Sequence, residues 1–134
     1  MKKILIVLIV CVVGSLYAQQ PSKILLHLQS SDTVVHRSLV NQIGNLKKAI
    51  PESSIELVCH GPGLNFLLKE KSKYADKLNK LQLKDLTIVG CEYTMASHNY
   101  TKDDLVPYVG TVPFGIAELA KKQAEGYIYI KLGF

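Results

Sequence analysis

The sequence contains no Cys-x-x-Cys and no His-x-x-x-His pair, and its four histidines, His27, His36, His60 and His98, are scattered. A zinc site or other metal centre built from closely spaced ligands is therefore not expected. Neither Gly-x-Gly-x-x-Gly nor Gly-x-x-x-x-Gly-Lys-Ser/Thr occurs, which excludes the familiar phosphate-binding loops, and nothing implies an organic cofactor. The net charge is only +5. Lysines between Lys69 and Lys84 are interleaved with acids, so they form a solvated face rather than a nucleic-acid groove. Internal repeats, low-complexity segments and linkers are absent, and a chain of this length holds one core.

No apolar run reaches the roughly 20 residues of a membrane span, because Lys23 interrupts the first one. What stands at the start is Met1-Lys2-Lys3, an uncharged stretch from Ile4 to Val13, and Ser15-Leu16-Tyr17-Ala18 before Gln19-Gln20. A basic start, a short apolar core and a small residue at Ala18 have the pattern of a secretory signal peptide. Residues 1–18 are thus expected to be a leader and residues 19–134 a single domain, exported and periplasmic. The membrane would be touched only through an uncleaved leader, the weaker alternative. Cys11 follows Ile9 and Val10, where a lipidation signal would carry small residues, and leaves with the leader. Loss of Lys2 and Lys3 takes the charge from +5 to +3.

Apolar runs of strand length recur at Lys23–Gln29, Ile55–His60, Leu86–Gly90, Tyr108–Val112 and Tyr127–Leu132. They alternate with helical patterns, and their near-continuous apolar character predicts strands buried on both faces. The expected architecture is a three-layer α/β/α sandwich around a five-stranded parallel sheet. Val35, Leu39, Ile43, Leu46 and Ile50 predict a first helix from Asp32 to Ile50, capped by Asp32 or Thr33 and stopped by Pro51. Leu64, Leu67 and Leu68 predict a second helix, and Tyr74, Leu78 and Leu81 a third. Thr101 and Asp104 have capping-box spacing. A last helix begins at Pro113, buries Ile116, Leu119 and Ala120, and ends at Gly126.

The loops after the first three strands hold most of the reactive residues: Gln29-Ser30-Ser31-Asp32, His60-Gly61-Pro62-Gly63 and Cys91-Glu92-Tyr93-Thr94. Ligands collect at the carboxyl ends of strands in open parallel sheets. Cys91 ends such a strand, which suits either a reactive thiol or a small buried hydrophobe. Amides of Tyr93 to Ser97 would stabilise a thiolate there, whereas Glu92 would raise the thiol pKa. His60, ending the strand expected beside that of Cys91, is its expected neighbour. His98 could reach the same rim through a loop, and His27 reads as a satisfied core histidine. Gly61, Gly63, Glu92, Tyr93 and Thr94 are the expected substrate-binding residues, although a tight strand-to-helix connection also accounts for the glycines. Cys59 falls in an apolar strand, so Cys91 is expected to be solvent-accessible and the more reactive thiol. An oxidising compartment also permits a Cys59–Cys91 disulfide.

The segment Val89-Gly-Cys-Glu-Tyr-Thr-Met95, then Asp104-Leu-Val-Pro107, Val112-Pro-Phe-Gly-Ile-Ala-Glu-Leu119 and Lys122-Gln-Ala-Glu-Gly-Tyr-Ile-Tyr-Ile-Lys131, resembles the DsrE/DsrF-like family. His60-Gly-Pro-Gly63 and the leucines after it are similar too, so the resemblance covers the mature chain. It implies an α/β/α sandwich with a five-stranded parallel sheet, assembly into trimers or hexamers, and a place in sulfur relay with a donor or acceptor protein. The position matching the family's persulfide-carrying cysteine is Cys91; in a carrier reading His60, beside it by strand position, serves as a stabilising group.

Three readings compete: a sulfur carrier or sulfurtransferase acting through Cys91, a non-catalytic small-ligand or assembly module using the same rim, and a scaffold in which Cys91 is structural or bridged to Cys59. A buried or bridged Cys91 would sink the first reading, whereas an exposed one with room around it would keep it alive.

Overall fold

Five short strands carry the fold: β1 (Lys23–Leu28), β2 (Ser54–Cys59), β3 (Leu86–Cys91), β4 (Gly110–Val112) and β5 (Ile128–Leu132). The computed structural model describes residues 21–133, so the expected leader at residues 1–18, with Cys11, and also Phe134, lie outside the described residues. In β1 and β2 every residue after the first is buried, as strands covered on both faces require. All neighbouring pairs are parallel, in the order β4-β3-β2-β1-β5. The architecture is the expected helix-covered, five-stranded parallel sheet.

Crossovers between parallel strands are right-handed, so the direction of stepping decides which face each helix covers. From β1 to β4 the chain steps one way. Its connections are α1 (Thr33–Ala49), a 3₁₀ segment (Gly61–Phe66) with α2 (Ala75–Asn79), and α3 (Glu92–Ser97) with a 3₁₀ turn (Lys102–Asp104). These pack on one face, where Leu39, Ile43, Phe66, Leu67, Leu78 and Met95 meet Ile24, Leu26, Leu28, Ile55, Leu57 and Cys59 in the larger core. From β4 the chain reverses to the far edge through α4 (Gly115–Ala124). On that opposite face Leu119 packs with Leu25, Val58 and Val89 in a smaller core. The loops after β3 and β4 therefore leave toward opposite faces, and the crevice of the sheet lies between the ends of those two strands.

α1 spans the expected segment, with Asp32 as cap accepting the Val34 amide at 2.7 Å. The capping box of Thr101 and Asp104 forms on the turn Lys102–Asp104. The second expected helix is instead the 3₁₀ segment Gly61–Phe66, although Leu64, Leu67 and Leu68 are buried as predicted. The chain runs so close to β1 there that a Cβ on Gly63 would stand 2.1 Å from the Leu28 carbonyl oxygen. α2 is short and leaves Leu81 at 43% exposure. In α4 only Gly115 and Leu119 are buried, and Ile116 is 62% exposed. The predicted apolar stripe is wider than the face one helix can press onto the sheet.

Gly63→Ala should destabilise the fold by at least about 2 kcal/mol, because the new methyl meets backbone that cannot swing aside. Urea denaturation checks this, and an unchanged midpoint would contradict the packing argument.

Candidate functional site

Side chains alternate along a strand, and residues paired across parallel strands share a face. Cys59 pairs with Gly90 and joins the larger core. Cys91, one residue beyond Gly90, points to the α4 face, as does His60, one residue beyond Cys59. The two cysteines therefore face opposite ways, and both are free. The disulfide alternative is thereby corrected by the pleat of the sheet.

Cys91 is 4% exposed, which overturns the expectation of a solvent-accessible thiol. The loop leaving β4 folds over it. The Gly115 amide donates to Sγ at 3.2 Å, and the Pro113 carbonyl accepts the Tyr93 amide at 3.1 Å. A Cβ on Gly115 would lie 2.9 Å from His60 Cβ and 3.3 Å from Cys91 Cβ. Glycine is what allows the start of α4 to close on both residues.

Burial pushes the Cys91 thiol pKa up, but the Thr94 hydroxyl and the amides of Gly115, Thr94 and Tyr93 outweigh it and hold the thiol below its ordinary value. The Tyr93 amide is already committed to Pro113, so the hydroxyl and the Gly115 amide are the principal donors. Thr94 Oγ1 accepts the Gly61 amide at 3.0 Å, which leaves its proton for sulfur. Cys59, wholly buried without such donors, is pushed far up by desolvation.

Glu92 does not act on the thiol as its sequence position suggests. Its carboxylate accepts the Thr111 hydroxyl at 2.6 Å and pairs with Lys102 at 3.4 Å, and these partners hold its own pKa down. Tyr93 is 64% exposed, its ring 5.9 Å from that of Phe114. Gly63 is explained by its approach to Leu28. His98 is at the end of α3 in a separate hollow with Gly61, Asn65, Lys71 and Tyr100.

The chain matches the DsrE/DsrF-like family over residues 6–132. It belongs to that family. Its fold is similar to that of a solved protein of unknown function from Methanobacterium thermoautotrophicum, at 24% identity and a TM-score of 0.77, covering 82% of this chain and 98% of that one. No curated protein matches the chain. In this DsrE/DsrF-like chain the cysteine lies at the reversal of strand order between β3 and β4.

Sequence reasoning missed three members of the neighbourhood. Gly115 is one, since its amide reaches Cys91 across 24 residues. The others are His27 and Tyr129: His27 Nε2 lies 2.7 Å from His60 Nε2, and His27 Nδ1 lies 2.7 Å from Tyr129 Oη. Strand phase alone would have put His27 and His60 on one face. Burial, then the neighbouring His60 and Lys131, lowers the His27 pKa to about 4, and burial lowers that of His60. Burial thus disfavours the charged form of both rings. Among the described residues no cluster of three or more His, Cys, Asp or Glu is arranged to hold a metal ion, and no helix is long and apolar enough to cross a membrane.

Thr94→Val should raise the thiol pKa of Cys91, because a hydrogen bond to a charged group contributes about 1.5–3 kcal/mol. The thiolate population at neutral pH should fall about tenfold, while Thr94→Ser should retain it. Ultraviolet titration of the thiolate checks both variants, and coincident curves for Thr94→Val and native protein would refute the donor assignment.

Proposed function

We propose that this protein carries sulfane sulfur as a persulfide on Cys91, within the sulfur-relay role that its family suggests. The observation that carries the reading is the contrast between two buried cysteines of one chain. A cysteine that is merely packed meets only hydrocarbon, as Cys59 does, whereas the Cys91 sulfur receives the Gly115 amide at 3.2 Å, a donor that favours the thiolate despite burial. A thiolate is the nucleophile that attacks a sulfur–sulfur bond.

The burial of Cys91 meets the condition set from the sequence for abandoning the carrier reading, and what retains that reading is the donor set, since a structural cysteine has no use for a hydroxyl and an amide aimed at its sulfur. Burial restricts the donor at this site to a small species such as a polysulfide or a low-molecular-weight persulfide. His60, behind Gly115, would bear on the sulfur added beyond Sγ. The Gly61 amide fixes the Thr94 hydroxyl, which in turn acts on the Cys91 sulfur.

We also propose that the chain assembles as a trimer or hexamer, and that residues 1–18 direct its export to the periplasm. Phe114 at 57%, Ile116 at 62% and Tyr93 at 64% exposure surround the crevice, and covering such a group with a second copy removes apolar surface from water.

Intact mass spectrometry after incubation with inorganic polysulfide tests the carrier reading. One added sulfur atom is expected on native protein and none on Cys91→Ser. An unmodified native protein would favour the binding-module reading instead. For assembly, light scattering at tens of micromolar should give a mass of three or six chains, and a monomer mass would refute it.

A further inference from the structure

His27 is 5% exposed and His60 8%, yet among the described residues neither imidazole is packed against a carboxylate. Their rings stack with centroids 4.7 Å apart at 13°, and the 2.7 Å between the two Nε2 atoms is a hydrogen bond. Such a bond holds one proton, so one ring donates and the other accepts, and the tautomers of the pair are tied together. The outer nitrogen of His27 meets the Tyr129 hydroxyl, which serves as donor or acceptor. Tyr129 is on the edge strand β5 and 39% exposed. The row therefore runs from solvent, across β1, to His60, which follows the Cys59–Gly90 pair beside Cys91 and shares with it the space that Gly115 closes over.

Lys131 pairs with His27 in register and faces it from β5, and with burial it disfavours a cation on the ring. The pair is thus unsuited to storing a proton and suited to passing one by exchanging tautomers, each ring neutral before and after.

We propose that Tyr129, His27 and His60 form a proton path between solvent and the Cys91 sulfur, used when that sulfur is loaded. The proposal rests on the carrier reading. In the starting arrangement His60 Nε2–H donates to His27, and His27 Nδ1–H donates to Tyr129 Oη. The Cys91 thiol proton passes to the remaining ring nitrogen of His60, Nδ1. The Nε2 proton of His60 moves to His27 Nε2, the Nδ1 proton of His27 moves to Tyr129, and the tyrosine releases its hydroxyl proton to bulk water. The thiolate then attacks a terminal sulfur of a polysulfide. A bond forms from Sγ to that sulfur, the adjacent sulfur–sulfur bond breaks, and the shortened polysulfide leaves with the electron pair. No external oxidant is consumed.

Tyr129→Phe removes only a half-exposed hydroxyl and should leave the fold intact. In dilute buffer its loading by inorganic polysulfide, followed by mass spectrometry, should be about tenfold slower than native, and added imidazole should restore it by carrying the proton directly. Loading at the native rate, or a slowing that imidazole does not relieve, would overturn the path. Native protein that takes up no sulfur would refute the carrier reading separately, and ¹⁵N spectra of the histidines then decide the path. The ring nitrogens of His27 and His60 are expected to reverse tautomer together as Cys91 ionises and to stay fixed in Cys91→Ser. Independent behaviour of the two rings would overturn it.

Discussion

The hydrogen bond from the Gly115 amide to Cys91 Sγ, 3.2 Å long, is the contact through which the remaining features of the site act. It exists because the chain reverses its stepping after β4, so that among the described residues the segment after β4 is the one that crosses over the end of β3 toward the opposite face. A helix starting with glycine can settle there. Any larger residue would collide with His60 Cβ, lifting the amide from the sulfur and uncovering the histidine together. Topology and one missing methyl group thus fix the distance at which a backbone donor meets a thiol.

Two cysteines in one sheet differ because parity sends them to different surroundings. Cys59 points into hydrocarbon, where nothing compensates the loss of water around a thiolate. Cys91, pointing the other way, exchanges water for donors fixed by the backbone. Fixed donors in a water-poor site act more strongly than the same groups in water, because the surroundings screen them less. The adjacent carboxylate is kept from opposing them. Thr111 and Lys102 hold Glu92 outward, so a charge that sequence proximity sets against the thiolate is neutralised by geometry.

The sheet was legible in the sequence because its strands are apolar on both faces, and β1, β2, β3 and β5 form within a residue or so of the apolar runs. β4 is shorter than its run, since Tyr108 and Val109 turn to pack on the larger core. Helices were legible where period and cap agreed, as in α1, and illegible where backbone proximity overrode period, as at Gly63. Cys91 and His60 could be found because a strand end is visible as a change from apolar to polar residues. Tyr129 could not. Its place beside His27 depends on β5 pairing with β1, a non-local choice made by the last crossover, and no local pattern encodes it.

Burial of the sulfur alters what the rim has to do. An exposed thiolate would need only a partner, whereas one at 4% exposure must exchange its proton without a column of water beside it. The surrounding groups meet that requirement in an economical way. Donors on the α3 side and Gly115 stabilise the anion, while the α4 face supplies neutral rings whose burial prevents them from competing as cations. If the histidines were charged at neutral pH they would pair with the thiolate and lower its nucleophilicity along with its pKa. In the proposed path their depressed basicity keeps two functions apart: stabilisation of the sulfur falls to the backbone and Thr94, and proton movement to the imidazoles.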